Sequence, residues 1–292
     1  LNGEKIFTWP YGYSQFEIDL TSYVKEGENT IWVKNTYELP NSRWYPGSGI
    51  YRNVWLVRRP AVHFTTDGGY LASKKEEDAF ILHADYEIQN DTDSACEVTL
   101  CHTVLAPDGK VAGTSKETLT IPCGLTVNKQ TMTFEAPLLW DIESPNLYTV
   151  HSEIIKDETA IDSSDERFGF RTIAFDPDKG FFLNGRNVKI NGSCEHHTLG
   201  ALGAAMNREA VRRQLTIMQK MGVNAIRSAH NMPAQELMEL CDEMGLLLYT
   251  ESFDMWEHCK TDYDYGNYFK DWWKTDLTSW VRQDRNHPSV FI

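Results

Sequence analysis

The sequence predicts a multidomain chain: two β-sandwich stretches followed by an α/β region built on a parallel sheet. Three observations lead there. Residues 1 to about 175 break into short alternating segments punctuated by Gly, Pro and Asn turns. From about residue 176 the period changes to near-continuous apolar strands separated by helical stripes. The 292 residues, 41% hydrophobic and 24% charged, hold roughly two domains at ~150 residues each, with enough apolar material for real cores. The boundaries read as 1–58, 59–175 and 176–292.

In the first region, Phe16 to Leu20, Thr30 to Val33 and Val54 to Val57 read as strands, with Gly27-Glu28-Asn29 as a turn. Leu1-Asn2-Gly3 reads as a strand end entering an Asn-Gly hairpin. Ser42 to Arg52 is a Gly/Pro loop rich in aromatics, and such loops on sandwiches often carry binding residues. Arg59-Pro60 marks the boundary. The second region shows about seven strand candidates, among them Phe80 to Ile88, Cys96 to Leu105 and Leu147 to Ile155. Pro107-Asp108-Gly109 is a turn in which Pro presets φ and Gly accepts φ > 0. This spacing predicts an immunoglobulin-like sandwich, without the Cys-Trp-Cys pattern of antibody domains.

In the third region, Phe181 to Ile190 reads as a hairpin with Asn184-Gly185 at its turn, and Val188 to Cys194 as a first strand. Asn207 caps a helix striped by Val211, Leu215, Met218 and Gly222. Asn224 to Arg227 is a buried strand. Pro233 opens a second helix with Leu237, Leu240, Cys241 and Met244 inward, and Gly245 ends it. Leu246 to Tyr249 is a third strand. Phe269, Trp272, Trp273, Leu277, Trp280 and Val281 stripe a third helix, and Val290 to Ile292 begin a fourth strand. A parallel sheet covered by helices fits either an open doubly wound fold or an eight-stranded barrel. No GxGxxG follows the first strand, which disfavours a nucleotide fold. A barrel takes about 250 residues, against about 115 here, and its last strand would present an unpaired edge.

The net charge of -14 repels phosphates and anionic lipid, so nucleic acid and membrane surfaces are poor partners. It suits a neutral ligand. Six cysteines without a CxxC pair predict neither a disulfide framework nor a structural zinc. No run of ~18 apolar residues would span a membrane. The chain reads as soluble, cytoplasmic or periplasmic, with homo-oligomerisation left open.

Candidate chemistry sits where the three strands end: Cys194-Glu195-His196-His197, Arg227-Ser228-Ala229-His230 and Thr250-Glu251-Ser252-Phe253-Asp254. In an α/β barrel those ends share the functional face. Adjacent histidines on extended backbone point to opposite sides, so one of His196 and His197 faces the site. Arg227, inside an apolar strand, requires an anion, and Glu251 on the neighbouring strand is the candidate. Asp254 with Trp256 offers a carboxylate beside a stacking ring. Nine tryptophans serve cores first and sugar stacking second.

The ordered motifs Phe16-Glu-Ile-Asp-Leu-Thr, Gly27-Glu-Asn-Thr, Gly49-Ile-Tyr-Arg-Asn-Val-Trp-Leu, Trp140-Asp-Ile-Glu-Ser-Pro-Asn-Leu-Tyr and Phe168-Gly-Phe-Arg resemble glycoside hydrolase family 2. So do Phe182-Leu-Asn-Gly, Asn224-Ala-Ile-Arg-Ser-Ala-His-Asn, Leu240-Cys-Asp-Glu-Met-Gly-Leu and Arg285-Asn-His-Pro-Ser-Val. His196-His-Thr-Leu-Gly-Ala-Leu-Gly is most similar to the β-galactosidase branch. The resemblance implies a partial jelly-roll sugar-binding domain, an immunoglobulin-like domain and the first part of a TIM barrel. It implies a retaining exo-β-galactosidase type of hydrolase acting on a β-linked saccharide, with β-glucuronidase and β-mannosidase as alternatives. It places the acid/base glutamate in an Asn-Glu pair shortly beyond Ile292 and the nucleophile later still, so this chain holds no catalytic residue of its own. His196 and His230 would contact substrate hydroxyls, and Arg227 would brace the catalytic carboxylates. Asn41, Ser42 and Arg43 would reach the sugar pocket from the sandwich loop. Some members bind Mg²⁺ after the third strand. Met255 and Glu257 occupy those positions here, a poor donor set for a hard cation, so no metal or other cofactor is expected.

Two other readings compete. A metal-dependent barrel hydrolase would use His196, His197, His230 and Glu251, but its first strand would carry His-x-His with both rings on one side. A non-catalytic sugar-binding fragment is the third, set apart by saturable galactose binding to the chain alone.

Overall fold

The computed structural model describes residues 1–44 and 47–292. Seven strands form the sandwich: β1 (Val62–Glu76), β2 (Ala79–Asn90), β3 (Cys96–Leu105), β4 (Val111–Ile121), β5 (Gly124–Glu135), β6 (Tyr148–Lys156) and β7 (Thr159–Phe168). They pair antiparallel into two sheets, β1-β2-β5 and β4-β3-β6-β7. The period-2 pattern sends Phe80, Leu82, Ala84, Tyr86 and Ile88 of β2 inward against Leu100, Val104, Val150 and Ile154. The Pro107-Asp108-Gly109 turn closes β3 to β4, with Gly109 at φ 80° and its N–H donating to Ala106 O at 2.8 Å. Polar pairs also lie inside, among them His102 and Ser152: His102 Nδ1 meets Ser152 Oγ at 2.8 Å, and burial pushes the imidazole down to about 4, so it stays neutral.

A small antiparallel sheet bridges to the last region: β8 (Ile173–Asp176), β9 (Gly180–Leu183) and β10 (Arg186–Asn187). Asn184 (φ 53°) and Gly185 (φ 78°) turn β9 into β10, the conformation that favours Asn-Gly in two-residue hairpins.

The α/β region runs β11 (Gly192–Glu195), α1 (Arg208–Lys220), β12 (Ala225–Ser228), α2 (Gln235–Met244), β13 (Leu247–Tyr249) and α3 (Gly266–Asp284). The strands are parallel in the order β11-β12-β13, with Arg227 between Cys194 and Tyr249. The open sheet continues at its edge: Val290 bridges Leu248 in parallel, and Thr250 N reaches Ile292 O at 3.0 Å. Asn207 caps α1 by accepting from Ala210 N at 2.9 Å. Gly245 ends α2 in the left-handed conformation, φ 69°. A Cβ there would stand 2.3 Å from Ile142 O, so glycine also allows the sandwich-side chain to pass close. Leu215, Ile226, Met238, Leu240, Cys241 and Leu248 pack helices onto the sheet.

Three expectations about local structure need correction. The strands expected at Phe16–Leu20, Thr30–Val33 and Val54–Val57 form no ladder: among the described residues, 1–58 contain no paired strand. A strand needs a neighbour, and in this segment Asn2 N to Thr30 O at 2.9 Å is an isolated cross-segment backbone bond. Trp32 is 85% exposed and Leu56 87%, so no second layer covers them. Within α3, the expected inward Trp273 and Val281 are exposed, whereas Asp276 and Asp284 are buried. Its inner face is polar because it meets hydrogen-bonding partners: Asp276 accepts from Ser14 Oγ at 2.6 Å and from Tyr265 OH. Gly222, assigned to the α1 stripe, lies beyond the helix at φ 88°.

The turn after α3 fastens the sandwich to the α/β region. Asp242 of α2 holds His287 Nδ1 at 2.5 Å and Ser289 N at 3.0 Å, while its carbonyl accepts from Trp140 Nε1 at 2.9 Å. Asn286 exchanges bonds with Leu71 N at 2.9 Å and Gly69 O at 3.0 Å. Arg282 clamps Glu87 at 2.6 and 2.8 Å. Burial alone would lower the His287 pKa, but the charge and hydrogen bond of Asp242, with help from Asp284, raise it on balance.

Asp284 is 6% exposed, and neither carboxylate oxygen has a hydrogen-bond partner. Burial raises it to about 7, against smaller lowering effects from His287, Trp280, Arg52 and Thr250. A carboxyl with a raised folded pKa stabilises the fold below its unfolded value near 3.9 and loses that contribution as pH rises to about 7. Asp284→Asn should therefore gain stability over the wild-type chain as pH goes from 5 to 8, by ~2–3 kcal/mol on the conversion of 1.36 kcal/mol per unit. Urea unfolding of both chains at the two pH values measures this. Parallel curves would mean that the carboxyl is not the group whose ionisation is penalised.

Candidate functional site

The three parallel strands end at one face, and the side chains leaving it meet. Arg227 Nε donates to Glu251 Oε1 at 2.7 Å, and Nη1 to Cys194 Sγ at 3.4 Å. The bond to Cys194 and then the charge and bond of Glu251 raise the guanidinium pKa. The anion expected beside Arg227 is thus Glu251, one strand over; the arginine side chain is itself 33% exposed, so the pair orients it and does not neutralise a buried charge. Ser228 Oγ receives Glu251 N at 3.0 Å, which fixes the backbone at the pair.

His230 completes the group. Its Nδ1 lies 2.9 Å from Glu251 Oε2 and 3.0 Å from Arg227 Nη2. One ring nitrogen holds either a proton or a lone pair, so Nδ1 donates to Glu251 or accepts from Arg227. Either choice leaves Nε2 as the nitrogen not engaged by the pair. The Ala229–His230 peptide bond is cis.

His196 and His197 diverge as adjacent residues on extended backbone should. The exposed His196 ring stands edge-on to His230 at 5.3 Å. Burial, then the neighbouring His230 charge, lowers its pKa. His197 turns the other way, against Tyr13 at 5.0 Å, with a buried Nε2 that has no partner. Burial pushes its pKa down to about 3, so it is neutral.

The N-terminal segment closes one side. Trp44 lies 5.1 Å from the His196 ring and 5.7 Å from that of His230. Arg43 reaches Asp254 through Nε at 3.3 Å and through Nη2, and Lys260 Nζ adds a bond to the same carboxylate at 3.0 Å. The segment is fastened below by Tyr11, whose hydroxyl bonds Asn231 Oδ1 at 2.7 Å and Ser252 O at 2.6 Å. Arg52 reaches Tyr13 O and Met232 O, each at 2.7 Å. Tyr45 and Pro46 of the aromatic loop lie outside the described residues.

The structure brings His196, Arg227, His230 and Glu251 together, with Arg43 and Asp254 beside them. Trp256 stands apart: it is 56% exposed and contacts Phe253 and Phe269, each at 5.6 Å. Met255 is buried and Glu257 exposed. Among the described residues no cluster of three or more His, Cys, Asp or Glu is placed to hold a metal ion. No described helix is long and apolar enough to cross a membrane. Sequence reading missed Tyr11, Tyr13, Trp44 and Lys260. The run Trp9-Pro10-Tyr11-Gly12-Tyr13, aromatic and turn-rich like the 42–52 loop, carried the available signal for two of them.

Comparison with known proteins adds the family context. Residues 70–171 match the family described as "Glycosyl hydrolases family 2", and residues 177–292 match "Glycosyl hydrolases family 2, TIM barrel domain". Beta-galactosidase BoGH2A of Bacteroides ovatus is 42% identical over 100% of this chain and 35% of its own length. A crystal structure of a glycosyl hydrolase family 2 member from Bacteroides cellulosilyticus superposes with a TM-score of 0.89 at 34% identity, over 96% of this chain and 37% of that one. Most of residues 1–58 therefore follow the path of a solved relative despite their lack of a ladder. A Bacteroides uniformis beta-glucuronidase superposes with a TM-score of 0.75 at 32% identity, over 84% of this chain and 30% of that one. The chain spans about a third of the length of the curated relatives it matches.

The opposite settings of the two histidines have a measurable outcome. His197→Ala should lose about 1–3 kcal/mol of stability, as expected when packed side-chain volume is removed. His196→Ala should stay within ~0.5 kcal/mol of the parent chain. Urea titration of the two variants checks this, and equal losses would contradict the assignment of the rings to opposite sides.

Proposed function

Because the chain belongs to glycosyl hydrolases family 2, we propose that it is the sugar-positioning part of a retaining exo-β-galactosidase. The observation that carries the reading is the meeting of Trp44, His196 and His230 over the Arg227–Glu251 pair. Apolar sugar faces pack on flat rings, and hydroxyls pair with imidazole nitrogens. On this reading His196 and His230 Nε2 hydrogen-bond substrate hydroxyls. Arg227, held rigid by Glu251 and Cys194, braces a catalytic carboxylate that comes from outside this chain. Asp254 and Trp256 extend the surface past the third strand.

Cleavage itself falls to two glutamates contributed beyond Ile292. In a retaining pair about 5–5.5 Å apart, one attacks the anomeric carbon as the other protonates the leaving oxygen, and the second then activates the water that releases the sugar. The 42% identity to a β-galactosidase favours galactosides. The β-glucuronidase resemblance makes uronides the alternative within the same mechanism.

The test uses the protein extended to the full length of its relatives. It should hydrolyse aryl β-galactosides with retention at the anomeric carbon, followed by NMR of the first-formed product. His230→Ala should lower kcat/KM by ~10²-fold, the scale of a lost hydrogen bond to a developing charge. Turnover of β-glucuronides or β-mannosides alone would refute the galactoside assignment, and inversion would refute the mechanism.

A further inference from the structure

Asp254 lies 6% exposed just past the third strand. It receives Nε (3.3 Å) and Nη2 of Arg43, and Nζ of Lys260 at 3.0 Å. The carboxylate is the inner member of this triad, with side-chain exposure of 5% against 52% for Arg43 and 41% for Lys260. Neither cation is there by accident of a long surface side chain. Arg43 comes from the docked N-terminal segment, next to Trp44, whose ring lies against His196 and His230. Lys260 also bonds the Asp254 carbonyl, and its loop is wound around buried Asp264, which accepts from Lys260 N at 2.6 Å and Thr261 N at 2.7 Å. The charges of Asp254 and Arg43 both act on the His196 ring, so the triad borders the sugar-facing group.

We propose that Arg43, Asp254 and Lys260 form a specificity-determining charge lock that admits uncharged sugars and excludes uronates. The inference rests on the glycosidase reading above and names the substrate class. Both cations of this wall are committed to a carboxylate of the protein. A sugar carboxylate approaching Arg43 or Lys260 meets cations already paired to Asp254 and is repelled by that carboxylate, so it gains less than it would from two unpaired cations. The hydroxyls of a neutral sugar bond to outward N–H groups and leave the pair intact. Relatives of this chain include both a β-galactosidase and a β-glucuronidase, whose sugars differ at C6 in a hydroxymethyl and a carboxylate, the difference on which the proposed lock would act.

Asp254→Asn keeps the shape and frees two cations. In the full-length protein, the ratio of kcat/KM for aryl β-glucuronide and β-galacturonide to that for aryl β-galactoside should rise at least tenfold. The inhibition constant of galacturonate relative to galactose should fall in parallel. If the variant melts like wild type and the ratios do not move, the lock is refuted. Should Asp254→Asn fail to fold, Lys260→Gln decides: it keeps the Arg43–Asp254 pair and removes one cation, so discrimination against uronides should steepen at least threefold, and an unchanged ratio again refutes the lock. A wild-type protein that prefers uronides refutes the lock while leaving the glycosidase reading standing. If no aryl glycoside is cleaved, the glycosidase reading falls, and the calorimetric ratio of galacturonate to galactose binding in wild type and Asp254→Asn then decides the lock by the same tenfold criterion.

Discussion

Arg227 places a full positive charge inside a short apolar strand, and the candidate site is organised by how that charge is satisfied. Its side chain is 33% exposed, so an anion in bonding geometry serves to fix the guanidinium in one orientation. The parallel register supplies one from the next strand, because β12 carries Arg227 opposite Tyr249 and Glu251 follows two residues later. The same carboxylate turns His230 Nδ1 toward the pair. A structural demand of the strand thereby sets the direction of a ring that borders the site. By also donating to Cys194 on the other flank, the Arg227 side chain links β11 to the Glu251 that follows β13.

That pair keeps its geometry only if the sheet beneath it is held. Asp242 does much of this from the opposite end: it gathers α2, the turn after α3 and the edge segment at Ser289 into one buried polar knot. Arg282, Arg285 and Asn286 extend the knot into β1 and β2 of the sandwich. The sandwich is therefore a brace for the α/β region. The N-terminal segment is a second brace, fastened through Tyr11 and Arg52 to the loop after β12.

Local signals were legible in the sequence wherever the physics is local. Asn207 and Gly245 mark helix ends because capping acts within one turn. The Asn184-Gly185 hairpin, the seven sandwich strands and the parallel strands follow from turn chemistry and apolar period. Glu251 as the partner of Arg227 follows from strand adjacency, although the Arg227 side chain is 33% exposed where an apolar strand suggested burial. What escaped depends on contacts far apart in sequence. The 16–20, 30–33 and 54–57 segments have strand-like patterns, but a ladder requires a partner that pattern alone does not specify. Trp273 and Val281 read as core because a stripe shows a face without showing what meets it; the buried face of α3 instead carries Asp276, bonded by Ser14 and Tyr265, and Asp284, whose carboxylate has no hydrogen-bond partner. Lys260 escaped because its reach to Asp254 depends on how Asp264 winds the loop.

The bond between Arg43 and Asp254 spans 211 residues of chain, and that from Tyr11 to Ser252 spans 241. Every strand pairing of the sandwich, by contrast, lies between Val62 and Phe168. On a ribosome the sandwich has all its partners long before residue 254 exists, while Arg43 and Trp44 have none of theirs. The segment that borders the site is made before the residues that seat it. Trp32, Trp55 and Leu56 of that segment stay exposed even when it is seated, so its apolar surface is open to other apolar surfaces before and after seating. The long loop that seats Arg43 thus makes this site slow to assemble, in the way that sequence-distant contacts slow folding generally.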